Sequence, residues 1–484
     1  MARARTLLNL SAAGLVLAGC AVGPRYAPPQ TPASGAGGFV SASPSASADA
    51  PLPPNWWRLY DDPVLDRLIG EALTENQDLK VAAANLAYAQ ALLTEAQTGL
   101  LPSTGVSAGD SFGRSSATDA AAAAAAVSPK NSWSYSASFN LAYQVDLFGR
   151  VRRTIQAAHA NADQVRAAED AVRVTVVAQT ASAYANLCGF AEQGEVARQS
   201  VDIAQQTYEL TVRERDIGSA SDYDVARAAS VLEQAKAAVP ALDGQRRVAL
   251  FELAALLGKT PAQAPADAAA CRTPPRIGQP LPVGDGAALL RRRPDVREAE
   301  RLVAADTARI GVAAADLYPT VSLGGAIASG ATTVTGLAAP TSATVSLGPL
   351  INWTFPNVAV ALVHVREARA TASAAVARFD SVVLTALKET EQALTGYAAE
   401  IDRHAALTAA RDRAKEAFDL AQVQYKAGTI SLLDLLTAQT TLLGAQQALA
   451  ASDQALSNDQ IAVFQALGGG WEGAPPVKPP KIAG

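Results

Sequence analysis

Residues 132–147, SWSYSASFNLAYQVDL, decide the fold. From Trp133 to Leu147 every second residue is apolar or aromatic, and the residues between them are polar or small. Because side chains of a strand point alternately to its two faces, this pattern predicts a strand with one apolar and one polar face. Aromatic residues near both ends favour a membrane-crossing strand, although a small soluble sandwich shows the same alternation.

Weaker alternation predicts three more strands. They cover about 103–114, 320–330 and 342–355, and the strand quoted above extends to about 148. The low-complexity insert Ala120–Ala126 falls in the loop that joins the first pair. Four strands cannot close a barrel alone, and lipid does not tolerate unpaired strand edges. We therefore expect several copies to share one barrel.

The remaining pattern is helical and duplicated. Helices are predicted over 62–100, 149–216, 221–257, 293–317, 357–427 and 431–467. Gly218 and Leu257-Gly258 recur about 210 positions later as Gly428 and Leu467-Gly468, which indicates an internal repeat. We divide the chain into a first repeat at 56–258, a connector at 259–292, a second repeat at 293–470 and a C-terminal tail at 471–484. The longest helices would measure about 100 Å, far more than a bilayer.

The N-terminus resembles an export signal. Arg3 and Arg5 precede an apolar stretch that ends in Leu17-Ala18-Gly19-Cys20, which predicts a lipoprotein signal peptide over 1–19. The Cys20 thiol would take a diacylglycerol, and its new amino group an N-acyl chain. Residues 20–55, rich in Pro, Ser, Ala and Gly, are predicted to form a lipidated tether with little structure. An ordinary signal peptide with a chance cysteine remains the alternative.

Composition argues against catalysis and nucleic-acid binding. The net charge is −5 and charged residues make up 18% of the chain, so no basic nucleic-acid surface is indicated. Cys20, Cys188 and Cys271 show no metal-ligand or disulfide-scaffold spacing, and the three histidines lie far from them in sequence. We predict no metal and no cofactor besides the covalent lipid. Beyond the signal peptide, no stretch of roughly 20 unbroken apolar residues offers a membrane-spanning helix.

A seven-residue motif marks the end of one long helix in each repeat. It occurs as Gly218-x-x-Ser221-x-x-Asp224 and as Gly428-x-x-Ser431-x-x-Asp434. Glycine ends a helix, serine caps the next helix, and aspartate three residues later completes a capping box. The sequence therefore predicts two tight helical turns.

Several longer motifs resemble one known family. They are Gly23-Pro24-x-Tyr26, Trp56-Trp57 with Asp62-Pro63-Val64-Leu65, Leu147-Phe148-Gly149-Arg150, Leu289 to Arg297 (LLRRRPDVR), Ile310-Gly311-Val312 and Leu317-Tyr318-Pro319. Together with the lipobox they resemble the TolC-like outer-membrane efflux family, in its NodT-type lipoprotein branch. The resemblance covers nearly the whole mature chain. We assign the Arg291–Arg293 run a structural ion-pair role.

The resemblance implies a fold class that is mainly α with a membrane β-barrel. Three chains would close one 12-stranded barrel and form a long periplasmic α-helical barrel, with the connector in its equatorial region. Such homotrimers are lipid-anchored in the outer membrane. They are passive exit ducts for drugs or other small molecules, and their partners are a periplasmic adaptor (membrane fusion) protein and an inner-membrane transporter of the resistance-nodulation-division class.

The resemblance also implies a periplasmic gate and an adaptor contact. Gate residues would be Asp434, Tyr425, Asp224 and Thr437. Asp434 would contribute to an acidic constriction and Tyr425 would tie neighbouring helices, while Thr437 stands where some relatives carry a second carboxylate. Adaptor contacts would be Gly218, Ser221, Gly428 and Thr429. Two alternatives remain at this point: a type I protein-secretion duct and a non-conducting structural spacer.

Overall fold

The computed structural model describes residues 21–43, 47–48, 50–114, 124–125, 128, 131–356 and 358–480. The signal peptide, Cys20, Asn357 and parts of the 120–126 insert lie outside the described residues.

Eight α-helices occur in the described residues. They are α1 Pro63–Glu75, α2 Gln77–Thr98, α3 Arg150–Asp216, α4 Asp222–Leu256, α5 Gly286–Arg292, α6 Pro294–Ala315, α7 Val358–Lys426 and α8 Leu432–Ala466. Helices occur in all six predicted helical regions, and the first of these regions is divided between α1 and α2. By length and composition alone, α7 contains an 18-residue window apolar enough to cross a membrane, and 28% of that window is buried.

The region predicted as one helix over 62–100 is interrupted at Asn76, so that prediction is wrong there. Asn76 has extended backbone, with φ −60° and ψ 135°. Its side-chain oxygen accepts from the amides of Asp78 and Leu79 at 2.9 and 3.2 Å, and its amide nitrogen donates to the Leu256 carbonyl at 3.0 Å. The same side chain thus caps α2 and binds the end of α4.

Six β-strands occur in the described residues. They are β1 Ser47–Ala48, β2 Ser103–Gly113, β3 Ser132–Val145, β4 Leu281–Pro282, β5 Thr320–Ala331 and β6 Ala343–Asn352. The four long strands form one antiparallel sheet in the order β2-β3-β5-β6. Within the described residues, β2 and β6 each have one partner strand and form the two edges. The predicted strands are confirmed.

The register of the sheet places the apolar residues on a common face. Tyr143 lies opposite Leu323, and Phe139 lies opposite Ile327, which in turn lies opposite Val345. Directly opposed residues in an antiparallel pair project to the same side. The alternation noted in the sequence therefore yields one apolar face across β3, β5 and β6.

Two strands end earlier than predicted. β3 stops at Val145 rather than near 148, and β6 stops at Asn352 rather than 355. Val145 is opposite Val321 and Asn352 is opposite Thr320, where β5 begins. Residues beyond Asn352 have no β5 residue to pair with, and β5 extends only one residue past the partner of Val145.

The chain divides into two compact units that do not coincide with the two repeats. The first comprises residues up to Pro29, Tyr88–Gln164 and Glu300–Arg378, and holds the four-stranded sheet. The second comprises Gln30–Ala87, Val165–Ala299 and Phe379–Gly484. Each unit takes segments from both repeats.

The second unit holds the main apolar core. Trp56 is fully buried and stacks on Phe464 with ring centroids 4.7 Å apart. The predicted connector contributes buried Ile277 and Leu281, and β4 within it pairs in parallel with β1. The connector is therefore part of the core.

The prediction that residues 20–55 form a tether separate from the folded body is wrong for the described part of this segment. Residues 30–43 and 50–55 have little regular structure, as expected, but Phe39 and Leu52 are buried in the core. The Glu391 carboxylate accepts hydrogen bonds from the amides of Val40 and Ser41 at 2.9 and 2.8 Å. Scattered apolar residues in a Pro/Ser/Ala-rich segment were enough to dock it.

A disulfide joins Cys188 of α3 to Cys271 of the connector. The cysteine spacing gave no sign of this bond, because the two residues are 83 positions apart in sequence. Disulfides persist in oxidising compartments such as the periplasm. If Cys20 is lipidated, these two cysteines are the remaining pair, which is the signal that could have revealed the bond.

Candidate functional site

The two motif turns have the same backbone structure. Gly218 and Gly428 take positive φ values of 81° and 71°, which glycine adopts without strain. The Ser219 amide donates to the Glu214 carbonyl at 2.8 Å, and the Thr429 amide donates to the Gln424 carbonyl at 3.0 Å. These bonds, five residues apart, close a Schellman turn at the end of α3 and of α7.

Reciprocal capping boxes start α4 and α8. The Asp224 carboxylate accepts from the Ser221 amide at 3.1 Å, while the Ser221 hydroxyl oxygen accepts from the Asp224 amide at 3.2 Å. Ser431 and Asp434 make the same pair of bonds at 3.0 and 3.3 Å. The predicted structural role of both motifs is confirmed.

The capping bonds also set the charge of both turns. Hydrogen bonds from the serine side chain, and then from the serine amide, hold the pKa of Asp224 and of Asp434 below the usual value. Both carboxylates are therefore ionised at neutral pH. Asp434 is exposed and Asp224 is half-buried, so both can act on ions near the turns.

Tyr425 connects the two turns. Its hydroxyl, at the end of α7, donates a hydrogen bond to the Glu214 carboxylate at the end of α3. Burial, followed by the bond to Glu214, raises the pKa of Tyr425 well above its usual value, so the hydroxyl remains a donor. Glu214 was not among the residues predicted from the sequence. The internal repeat gave one indication of its role. Glu214 has the same position in the first repeat as Gln424, the residue before Tyr425, has in the second.

A second polar contact joins α3 to α8 farther from the turns. The buried Thr207 hydroxyl donates to Gln439 Oε1 at 2.9 Å. Gln439 Nε2 is also buried and has no hydrogen-bond partner in the described part of the chain. Leu435 and Leu442 pack in the apolar cluster beside it. A buried amide without a hydrogen-bond partner costs free energy, so it weakens the contact between α3 and α8 at Gln439.

The remaining predicted site residues lie at or beside the turns. Thr437 is exposed on α8, and its hydroxyl donates to the Leu433 carbonyl at 2.7 Å. The four residues predicted to contact an adaptor are exposed: Gly218, Ser221, Gly428 and Thr429. The structure thus collects the gate and adaptor candidates at two equivalent turns. Their roles in gating and binding stay predictions.

Aromatic clusters lie at both ends of the sheet. At one end the rings of Phe112 and Trp133 are 5.4 Å apart. At the other end, Phe148 stacks on Tyr318 at 4.6 Å, and Trp353 stacks on Phe355 at 4.8 Å. Aromatic residues at two levels, flanking an apolar band, are typical of strands that cross an outer membrane.

The arginine-rich motif has a structural role. Arg293 is largely buried and pairs with Asp295 at 2.7 Å and with Glu389 at 2.8 Å. It also donates to the Ala466 carbonyl at 2.8 Å. The predicted ion-pair role is confirmed for this residue. His159 and His404 lie on helices beside Asp163 and Asp453, and the described residues hold no cluster that could bind a metal.

Comparison with known proteins identifies the family. The family model described as "Outer membrane efflux protein" matches residues 68–259 and 287–469, which correspond to the two repeats. The chain belongs to the outer membrane efflux protein family. It is similar to the outer-membrane channel OprN, with a TM-score of 0.85 and 32% identity over 93% of this chain and 100% of that one.

Two curated relatives agree with this assignment. Nodulation protein T of Rhizobium leguminosarum bv. viciae is 29% identical, covering 97% of this chain and 94% of its own length. The toluene efflux pump outer membrane protein TtgC of Pseudomonas putida is 30% identical, covering 96% of each. The family, the TolC-like fold and the outer-membrane location implied by the motifs are confirmed. The chain is an outer-membrane efflux duct.

Proposed function

We propose that three copies of this chain form the passive exit duct of a tripartite pump that expels small organic molecules. The observation that carries this is the open sheet: four antiparallel strands whose edges, β2 and β6, have no second partner within the described chain. Because open edges are excluded from lipid, β6 of one copy must pair with β2 of another. Three copies give the 12 strands expected of this family.

The two equivalent helical turns support a gate. Three ionised Asp434 carboxylates brought near the duct axis would attract cations and repel one another. The bond from Tyr425 to Glu214 would hold α7 against α3 in the closed duct. Gly218, Ser221, Gly428 and Thr429 are exposed where the hairpin tips of a periplasmic adaptor would bind.

The duct acts without catalysis, and its energy comes from an inner-membrane transporter of the resistance-nodulation-division class. The similarity to a toluene efflux component favours small organic cargo over secreted proteins. Lipid on Cys20 would add a second attachment to the membrane besides the strands.

Gene deletion tests the proposal. A strain lacking this chain should become sensitive to organic solvents or antibiotics, and a plasmid copy should restore resistance. Loss of a secreted protein without any change in sensitivity would favour a type I secretion duct. Mass spectrometry of the N-terminal peptide should show diacylglycerol and an N-acyl chain on Cys20, and an unmodified thiol would contradict lipid anchoring.

A further inference from the structure

Three glycine motifs of the sequence converge on the segment that directly follows the lipobox. They are Gly23-Pro24-x-Tyr26, Leu147-Phe148-Gly149-Arg150 and Ile310-Gly311-Val312. All three lie in the unit that holds the four-stranded sheet. The proposed duct and gate give none of them a role, so their meeting requires a separate explanation.

Each glycine is required by a close backbone approach. A Cβ added to Gly149 would lie 2.7 Å from the Cβ of Ala21, and one added to Gly23 would lie 2.5 Å from the Cα of Gly311. Gly149 and Gly23 also take positive φ values of 81° and 91°. Any side chain at these positions would push residues 21–23 away from α3 and α6.

Directional bonds hold the same segment. The Val22 amide donates to the Phe148 carbonyl at 3.1 Å. Arg153, which is buried, donates from Nε to the Val22 carbonyl at 3.2 Å and from Nη2 to the Gly23 carbonyl at 3.3 Å. Gly311 leaves room for this arginine, since a Cβ there would meet Arg153 Cδ at 2.8 Å.

Tyr26 holds the C-terminal end of the docked segment, residues 21–26. Its hydroxyl donates to the Glu300 carboxylate, and its ring packs on Ala160, Ala304 and Ala305. Burial and the bond to Glu300 raise the pKa of Tyr26 well above its usual value, so this donor also stays protonated. Residues 21–26 are therefore fixed at several points along their length.

We propose that the three motifs form one docking site, the glycine cradle of Gly23, Gly149, Gly311 and Arg153, which fixes the lipid attachment point at the junction of β3 and α3. A lipid carried by Cys20 would be attached one peptide bond away from Ala21, the first residue that the cradle holds. Acyl chains attached there enter the leaflet beside the stacked rings of Phe148 and Tyr318. The site's ligand is the chain's own lipid-bearing N-terminus, and this rests on the proposed lipidation of Cys20.

Hydrogen exchange on the full-length lipoprotein in nanodiscs tests the cradle. The Val22 amide should be protected in the wild type, and Arg153→Met and Gly311→Ala should each speed its exchange by at least about tenfold. Gly444→Ala is the matched control, because a Cβ at this helical glycine meets nothing within 4 Å. It should leave Val22 exchange unchanged. Arg153→Met removes the two donors without adding bulk, so it covers the case in which Gly311→Ala fails to fold.

A second form separates the cradle from the lipid. The chain carrying Cys20→Ser, exported behind an ordinary signal peptide, should show the same Val22 protection as the lipidated protein. Loss of protection in this form would overturn the proposal, because the lipid would then hold the segment. Unchanged exchange in both cradle variants would overturn it too. If the wild-type N-terminal peptide carries no lipid, the lipid role fails while the exchange data still report docking.

Discussion

Tyr425→Phe removes one hydroxyl at the point where α7 meets α3. The lost bond has a carboxylate, Glu214, as its acceptor, and such bonds contribute roughly 1.5–3 kcal/mol when buried. Tyr425 is half-buried, so we take the lower end, about 1.5 kcal/mol per chain. Each chain's closed arrangement should therefore weaken about tenfold relative to the open one.

In a trimer this change occurs three times. If the three links act independently, the closed-to-open equilibrium shifts by as much as about a thousandfold; coupling between protomers would change that figure. Single-channel recording in planar bilayers should show longer and larger openings for Tyr425→Phe. Glu214→Gln keeps an acceptor for the hydroxyl, so it should have a smaller effect.

Tyr223→Phe is the matched control for this experiment. Tyr223 lies in the first turn of α4 and is 69% exposed, with its ring stacked on Arg227 at 5.6 Å. Removing its hydroxyl should leave conductance at the wild-type level. If Tyr425→Phe is folded by circular dichroism but gates no differently from Tyr223→Phe, the bond to Glu214 does not hold the duct closed.

Three further predictions follow from other parts of the chain. The Cys188–Cys271 bond closes a loop of 83 positions, so a reductant should lower the free energy of unfolding by about 4.5 kcal/mol. The stability of Cys271→Ser should not respond to the reductant. Equal responses of the two proteins would contradict this prediction. Burial, then repulsion from Asp453, raises the pKa of Glu192 to about 7, so the contribution of Glu192 to stability falls as pH rises through 7. Glu192→Gln should therefore have a higher melting temperature than the wild type at pH 8 but not at pH 5. Asp434→Ala should reduce cation preference in bilayers, and unchanged selectivity would place Asp434 away from the constriction.

The sequence predicted the elements that depend on local pattern. Alternation in 132–147 and the Gly-x-x-Ser-x-x-Asp motifs each encode their structure within a few residues, so β3 and both turns were found. The duplication extended this information from one half to the other. The predicted strand ends were less accurate because the pairing of β6 stops at the first residue of β5 and that of β3 stops one residue before it, and both limits depend on the partner strand.

Contacts between distant residues were not predictable in the same way. Tyr425 meets Glu214 and Cys188 meets Cys271 only after long helices pack side by side. The N-terminal segment looked like a tether because its composition is polar and Pro-rich, yet Phe39 and the small residues near Gly23 find matching surfaces on the folded chain. Composition describes a segment alone and carries no information about the surface that receives it.

In the proposed duct, several copies of the chain share one barrel, and this barrel conducts ions. Reconstitution of the mature lipoprotein in a planar bilayer, with its mass measured in mild detergent by native mass spectrometry, tests both parts together. We expect a trimer with a small, cation-preferring conductance that Tyr425→Phe enlarges. A monomer would contradict the shared barrel, and a trimer without conductance in both wild type and Tyr425→Phe would contradict the gated duct.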